Sequence, residues 1–248
     1  MNLKRITLEN LKQEHICCAI SEKKGENCVS SKKAWLKERL NEGLSFVKLD
    51  VRGKVFIEYI PADYAWYPIV ASGYMHINCF WVSGQYKGQG IANQLLQTCI
   101  EEAKEKGMRG ITVITSKKKL PYTNDGNYLK YKGFKIADTY ESIYELLFYP
   151  FEETIQKPYF DIKPMKKSSS EFVLYYTNQC PHCEKYAPMM KTWLNDRGYT
   201  CELRKIDSLS KAKHAPCAIT TYGLFRHGKY LTNEILSEKS LDKKVLGK

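Results

Sequence analysis

The sequence predicts an α+β fold, a mixed β-sheet flanked by helices and followed by a smaller α/β unit. Three observations carry this reading. Residues 74–107 run an apolar strand through a glycine-bearing turn into an amphipathic helix. Strands and helices alternate on both sides of that unit. After a stretch rich in Pro, Lys and Ser, a strand–turn–helix–strand pattern starts again, with a cysteine pair at its turn.

Taken in order, residues 3–6 read as a short strand. Thr7 then reads as the N-cap of a helix carrying Leu8, Leu11, Ile16, Cys17 and Ile20, with Asn10 completing an imperfect capping box. His15 and Cys18 share a face of that helix, and buried helix contacts are the expectation there, because two ligands do not make a metal site. Ser30 or Ser31 opens a second helix through Trp35, Leu36 and Leu40, closed by Gly43. Residues 45–49 and 54–60 are strands joined by a hairpin-length turn at 50–53. Residues 61–74 are aromatic and proline-broken, and read as a loop. Beyond the central helix come a β-branched strand (111–115), a basic loop (117–121) and a short helix (124–132) stopped by Gly133. Closing strands follow at 134–137 and 143–148.

Composition bounds the function. The chain has 248 residues, 43% hydrophobic and 27% charged, enough for one large or two small domains. No apolar run approaches the ~20 residues of a membrane span, and the first residues lack an apolar signal core, so the expected location is the cytoplasm. The net charge of +12 divides evenly between residues 1–150 and 151–248. A nucleic-acid binder concentrates such charge in a stripe, so an acidic small ligand and a solvated basic surface account for it better. Nine cysteines without an export signal argue for reduced thiols rather than a disulfide scaffold.

The central stretch is an anion cradle in outline. Ile77, Cys79, Phe80, Trp81 and Val82 form the strand. Gln85, Tyr86, Lys87, Gly88, Gln89 and Gly90 form the turn, and Ile91, Leu95, Leu96, Cys99, Ile100 and Ala103 recur at helical spacing. The first N–H groups of a helix have no internal partner and carry the positive end of its dipole; Gly88 and Gly90 remove side chains that would keep a phosphate away. Glycines that merely permit tight packing are the competing reading. The order Gln-x-x-Gly-x-Gly, with Ile91 and Ala92 behind it, resembles the acetyl-coenzyme A signature of the GNAT superfamily of N-acetyltransferases, over roughly residues 1–151. The resemblance implies acetyl-CoA as cofactor and a primary amine as acceptor. The pantetheine arm would lie along residues 77–82, the pyrophosphate on N–H groups from Tyr86 to Ala92, with Lys87 near phosphate. The aromatic loop would border the acceptor, which makes Tyr64, Trp66 and Tyr67 candidate substrate contacts. Many relatives place a glutamate in or near this strand as general base, and none lies between residues 71 and 90, so His76 is the candidate base. Leu129 stands where the family often has a tyrosine acid, and Tyr128 beside it is the candidate acid.

Residues 152–170 have linker composition. Residues 171–176 then form an apolar strand leading to Cys180-Pro181-His182-Cys183, a helix to Gly198, a strand at 201–206, Ala215-Pro216-Cys217, a strand hairpin, and a last helix from Ser237. Residues 171–248 resemble a small thioredoxin-like domain, and the two-domain order resembles the YoaP-like acetyltransferases. Cys180 would be a thiolate stabilised at a helix N-terminus, and Cys183 the resolving thiol. Pro216 matches the cis-proline of that family, and Cys217 adds a third thiol. A soft-metal or metalloid site from Cys180, Cys183, Cys217 and His182 competes with redox chemistry. The reading is an N-acetyltransferase carrying a dithiol module. Its alternative is a thiol-redox or soft-metal binding protein whose first half binds CoA without efficient catalysis.

Overall fold

The computed structural model describes residues 2–16, 20–22, 24–152 and 156–247. The first lobe comprises β1 (Leu3–Arg5), α1 (Cys28–Asn41), β2 (Ser45–Leu49), β3 (Val55–Pro61), β4 (Ile69–Val70), β5 (Tyr74–Val82), α2 (Ile91–Glu105), β6 (Gly110–Ser116), α3 (Gly126–Tyr131), β7 (Lys135–Tyr140) and β8 (Tyr144–Pro150). Seven strands form one sheet in the order β1-β2-β3-β5-β6-β8-β7. All neighbours are antiparallel except β5 and β6, which the crossover helix α2 joins in parallel.

The helical spacing read from the sequence is what buries α2. Ile91, Leu95, Leu96, Cys99 and Ala103 pack against Val47, Ile57, Met75, Ile77, Val113 and Leu147 on one face of the sheet. The helix also carries Glu102 into that layer. Its carboxylate accepts from Ser45 Oγ (2.6 Å) and Tyr59 Oη (2.7 Å), and pairs with Arg5 and Lys106, each at 2.7 Å. One side chain thus ties α2 to β1, β2 and β3.

Over the described residues 8–16 the expected helix does not form. Thr7 and Asn10 do exchange the bonds of a capping box, Thr7 N donating to Asn10 Oδ1 (2.9 Å) and Asn10 N to Thr7 Oγ1 (3.4 Å), but only turns follow. Leu8 is exposed, so the apolar stripe that would hold a helix down is interrupted at its start. Cys17 and Cys18 lie outside the described residues. His15 contacts Lys48 and the Gly53 carbonyl.

After β9 (Tyr159–Phe160), the second lobe comprises β10 (Phe172–Tyr176), α4 (Pro181–Asn195), β11 (Cys201–Lys205), α5 (Leu209–Lys213), β12 (Tyr222–Arg226), β13 (Lys229–Thr232) and α6 (Glu238–Leu241). Its sheet has the order β11-β10-β12-β13, with β10 parallel to β11 and antiparallel to β12. One face holds α4 through Cys183, Ala187, Met190 and Leu194 against Phe172, Leu174, Tyr222 and Leu224. The other face, with Val173, Tyr175 and Phe225, packs on Trp35, Trp66, Tyr67 and Tyr144 of the first lobe. The core is therefore continuous between the lobes. The stretch of linker composition is tied down as well, since β9 pairs with β4 and Ile162 and Met165 pack on the shared core.

Burial, the largest influence on Glu102, raises its pKa, and the bonds from Lys106, Ser45, Tyr59 and Arg5 outweigh it and hold the value at about 2. A carboxylate lowered on folding stabilises fully above its unfolded pKa near 4.5, and loses that contribution as pH falls toward 2. The contribution is on the order of 2–3 kcal/mol. Glu102→Gln should remove most of it at neutral pH and flatten the acid limb of a urea-midpoint profile against pH. An acid limb identical to wild type would refute this role.

Candidate active site

The site begins with one extra residue. Glu58 on β3 pairs with Cys79 and the next residue, Tyr59, pairs with Ile77, so Asn78 is a bulge. Before it, Met75 and Ile77 face α2; after it, Phe80 and Val82 do, and Cys79 turns to the opposite face. Pairing of β5 with β6 covers only Tyr74–Ile77 against Gly110–Val113. Beyond that the two strands part, while β6 continues along β8. The result is a wedge with the β5 main chain of residues 78–82 along one side. Asn124 spans it: Phe80 N donates to Asn124 Oδ1 (2.8 Å), and Asn124 N donates to the Ile114 carbonyl (3.4 Å).

At the end of β5 the turn is open. Gly88 (φ 76°) and Gly90 (φ 75°) are both left-handed, and a Cβ at either would meet nothing within 4 Å. Gly90 is the N-cap of the 15-residue α2 and offers no capping side chain. The first-turn N–H groups therefore face solvent beside a left-handed main chain, a fit for a diphosphate. Tyr86 packs its ring against Gly53, and Gln85, Tyr86 and Gln89 line a surface cavity of ≈ 390 Å³ with Leu49, Asp50 and Val51. Tyr128 lies over the wedge, with its ring edge-on to Phe80 (5.8 Å) and its hydroxyl donating to Asn93 Oδ1 (3.0 Å). Burial pushes its pKa up to about 12, so it holds its proton at neutral pH. Leu129 is buried in the α2-side core.

Several expected residues are elsewhere. His76 is fully buried, and burial, helped by Lys213, lowers its pKa to about 3. A base poised near neutrality is therefore not what this imidazole is. Its Nδ1 bonds Thr112 Oγ1 (2.9 Å), and its ring lies 5.0 Å from that of Tyr67. Trp66 and Tyr67 are buried between the lobes rather than lining an open acceptor mouth. The Trp66 carbonyl accepts from Thr220 Oγ1 (2.5 Å), and Tyr67 Oη accepts from Gln179 Nε2 (2.6 Å). Tyr64 alone of the three is exposed. A carboxylate does reach the bulge, from the neighbouring strand: Glu58, fully buried, accepts from Asn78 Nδ2 (3.0 Å) and pairs with Lys32 (2.6 Å).

Cys180 is the N-cap of α4, with Pro181 as the first helical residue, and Cys183 N donates to the Cys180 carbonyl (3.2 Å). Cys180 is partly exposed and Cys183 buried. The hydrogen bond from Cys183 lowers the Cys180 pKa most, aided by N–H groups of His182 and Cys183 and by Lys32. Burial raises that of Cys183. Burial lowers the pKa of His182, with Lys54 and Lys185 adding to it. Tyr122 of the first lobe sets its hydroxyl 3.8 Å from Cys183 Sγ, from a backbone with φ 62° that a bulky residue rarely adopts. Cys217 is not beside this pair. It lies under Gly223 on the other face of the second sheet, its thiol donating to the Ile219 carbonyl (3.2 Å). No peptide bond among the described residues is cis, so Pro216 does not form the expected cis-proline. Among the described residues no group of three or more His, Cys, Asp or Glu is placed for a metal ion, and Cys217 stands apart from the Cys180–Cys183 pair.

The Acetyltransferase (GNAT) family model matches residues 9–121, and a YoaP-like family model matches residues 202–243. The protein named "Uncharacterized N-acetyltransferase YoaP" of Bacillus subtilis (strain 168) is 39% identical over 240 residues, covering 96% of each chain. Among solved structures, the chain is similar to a GNAT acetyltransferase of Brucella melitensis in complex with acetyl-CoA (15% identity, 63% of this chain and 91% of that one, TM-score 0.39). It is also similar to the PaiA N-acetyltransferase of Thermoplasma acidophilum in complex with coenzyme A (16% identity, 61% and 100%, TM-score 0.40). The class is thus an acetyltransferase, with acetyl-CoA as acyl donor. The chain belongs to the GNAT family, in its YoaP-like group.

The lowered Cys180 pKa sets an order of reactivity, because the thiolate is the nucleophile. Iodoacetamide at pH 7 should label Cys180 first, ahead of Cys183 and the partly exposed Cys79, with a labelling midpoint below the unperturbed thiol value of 9.0. Peptide mapping that finds Cys79 labelled first would refute the assignment.

Proposed function

We propose that this chain transfers acetyl from acetyl-CoA to a primary amine at the bulge of β5, with a thioredoxin-like dithiol module closing the acceptor side. The observation that carries the reading is the unpaired edge of β5 beyond Asn78, in line with the open glycine turn. When bound, acetyl-CoA supplies the activated acyl carbon. Main-chain groups of Phe80, Trp81 and Val82 would hold its pantetheine arm in place of the Asn124 side chain. N–H groups from Tyr86 to Ala92 would hold its diphosphate, with Gln85, Lys87 and Gln89 at the rim. Glu58, held by Lys32 and Asn78 at the bulge, is placed to draw the proton from the amine. Tyr128 retains its proton beside Phe80 and is placed to protonate the departing thiolate.

The second lobe's strand order, with β10 parallel to β11 and a Cys-Pro-His-Cys turn capping α4, supports the thioredoxin-like reading. The reactive order of Cys180 and Cys183 favours a second reading, in which the chain is chiefly a thiol-redox protein and its transferase half is weak. Buried Leu129 at the family's tyrosine position points the same way.

Gly90→Val should raise the Kd for acetyl-CoA at least about 100-fold, since a Cβ there both strains a left-handed residue and crowds the cradle. Isothermal titration with acetyl-CoA checks it, and equal affinity would refute the cradle. Glu58→Gln should lower kcat about 100-fold or more, and Tyr128→Phe by about tenfold, with acetyl-CoA affinity unchanged in both. Because an unpaired Lys32 is costly, the double variant Lys32→Met/Glu58→Gln controls for folding. Full turnover in either single variant would remove that residue from the chemistry.

A further inference from the structure

Three buried polar atoms on the seam between the lobes have no partner among the described residues: His76 Nε2, Asn78 Oδ1 and Gln179 Oε1. His76 and Asn78 stand two apart on β5, on the face turned to the second lobe. Gln179 is joined to them through Tyr67, whose hydroxyl it bonds at 2.6 Å and whose ring lies 5.0 Å from that of His76. The His76 Nδ1–Thr112 Oγ1 bond fits either donor, and in the tautomer where Nδ1 carries the hydrogen Nε2 is an acceptor. Buried polar atoms are rarely left unpaired, and three acceptors match the N–H donors of an ammonium or amine. Glu58 is bonded to Asn78 at the same point.

The residue after Gln179 is Cys180. Tyr122, two residues before Asn124, lies against Cys183, and Lys32, which pairs with Glu58, acts electrostatically on Cys180. One of these three side chains, Gln179, is thus the chain neighbour of the reactive thiol. We infer that the acceptor is a short-chain aminothiol, seated by its nitrogen on His76, Asn78 and Gln179 and captured through its sulfur by Cys180. The inference rests on the transferase reading above and names the substrate class of that site.

The chemistry balances with the acceptor presented as a disulfide. Cys180 thiolate attacks one sulfur, forming a mixed disulfide, and the other half of the disulfide leaves as a thiolate that takes up a proton. The tethered amine attacks the thioester carbon. The C–S bond of acetyl-CoA breaks, CoA leaves as its thiol, and the proton lost by nitrogen passes through Glu58. Cys183 thiolate then attacks Cys180 Sγ and releases the N-acetyl aminothiol. The substrate disulfide has been reduced by two electrons and the Cys180–Cys183 pair oxidised to a disulfide. A low-molecular-weight thiol reductant returns it to the dithiol.

Cystamine, a disulfide of two primary amines, is the probe. Full-length Cys183→Ser should form a mixed disulfide with cysteamine at Cys180, located by peptide mapping. Acetyl-CoA should then add one acetyl group to that adduct. In the wild-type chain, cystamine should be acetylated at least about tenfold faster in a single turnover than hexamethylenediamine, in which CH2–CH2 replaces S–S, because tethering raises the effective amine concentration. No adduct at Cys180, an adduct that stays unacetylated, or equal rates for the two diamines would each overturn the proposal. Acetyl-CoA binding, measured by calorimetry on the same preparations, tells the two failures apart. If binding persists while the tethered amine is untouched, only the aminothiol proposal falls; if binding is absent, the transferase reading falls with it.

Discussion

One unpaired residue in the first sheet governs the site. With Asn78 outside the β3 register, the side-chain alternation of β5 reverses within the strand, so that Met75 and Ile77 share the α2 face with Phe80 and Val82. A bulge also sharpens local twist, and β5 leaves β6 at the point where the bulge falls. A regular strand would have kept pairing to its end and presented no free main chain to a ligand. The same irregularity turns Cys79 toward the second lobe, and aims the Asn78 amide at Glu58. The unpaired stretch of β5 and the buried polar layer at Glu58 are two consequences of one residue.

That polar layer is expensive to keep. Lys32 and Glu58 are both almost fully buried, and removing two charges from water costs several kcal/mol per ion, which their mutual attraction does little more than offset. A pair of apolar residues would serve the core at least as well. Near it stand three unpartnered acceptors, each adding a desolvation cost of about 1–3 kcal/mol. A layer so unfavourable to folding is coherent if its purpose is to meet a polar ligand. It is incoherent as packing alone. The continuous apolar core around it, from Trp35 and Trp66 through Tyr175 and Phe225, supplies the stability that tolerates it.

Much of the fold was legible because it rests on local patterns. The strand–glycine–helix unit, the alternation of elements and the Cys-Pro-His-Cys helix start all follow from periodicity and turn chemistry within about 30 residues. The first helix failed for a local reason too: a correct cap at Thr7 with an exposed Leu8 behind it cannot hold a helix without a buried stripe. What stayed hidden depends on register. Glu58 sits twenty residues before Asn78, and only the pairing of β3 with β5 makes it the carboxylate of the bulge. Likewise Trp66 and Tyr67 read as a mouth because nothing local foretells that the second lobe covers them. Cys217 follows Pro216 closely enough to suggest a thiol cluster, yet it packs on the sheet face away from α4.

Tyr122 shows how closely the lobes depend on each other. Its left-handed backbone costs about 1–2 kcal/mol, a strain that persists only where the surroundings over-determine it. Here they do: the ring packs on the core clusters of both lobes, and its hydroxyl is held at Cys183. Asn233 of the second lobe fixes the same turn by donating to the Pro121 carbonyl (2.6 Å). Two residues on, that turn delivers Asn124 to the Phe80 N–H. One strained turn thus touches both the dithiol, through Tyr122, and the main chain of β5, through Asn124.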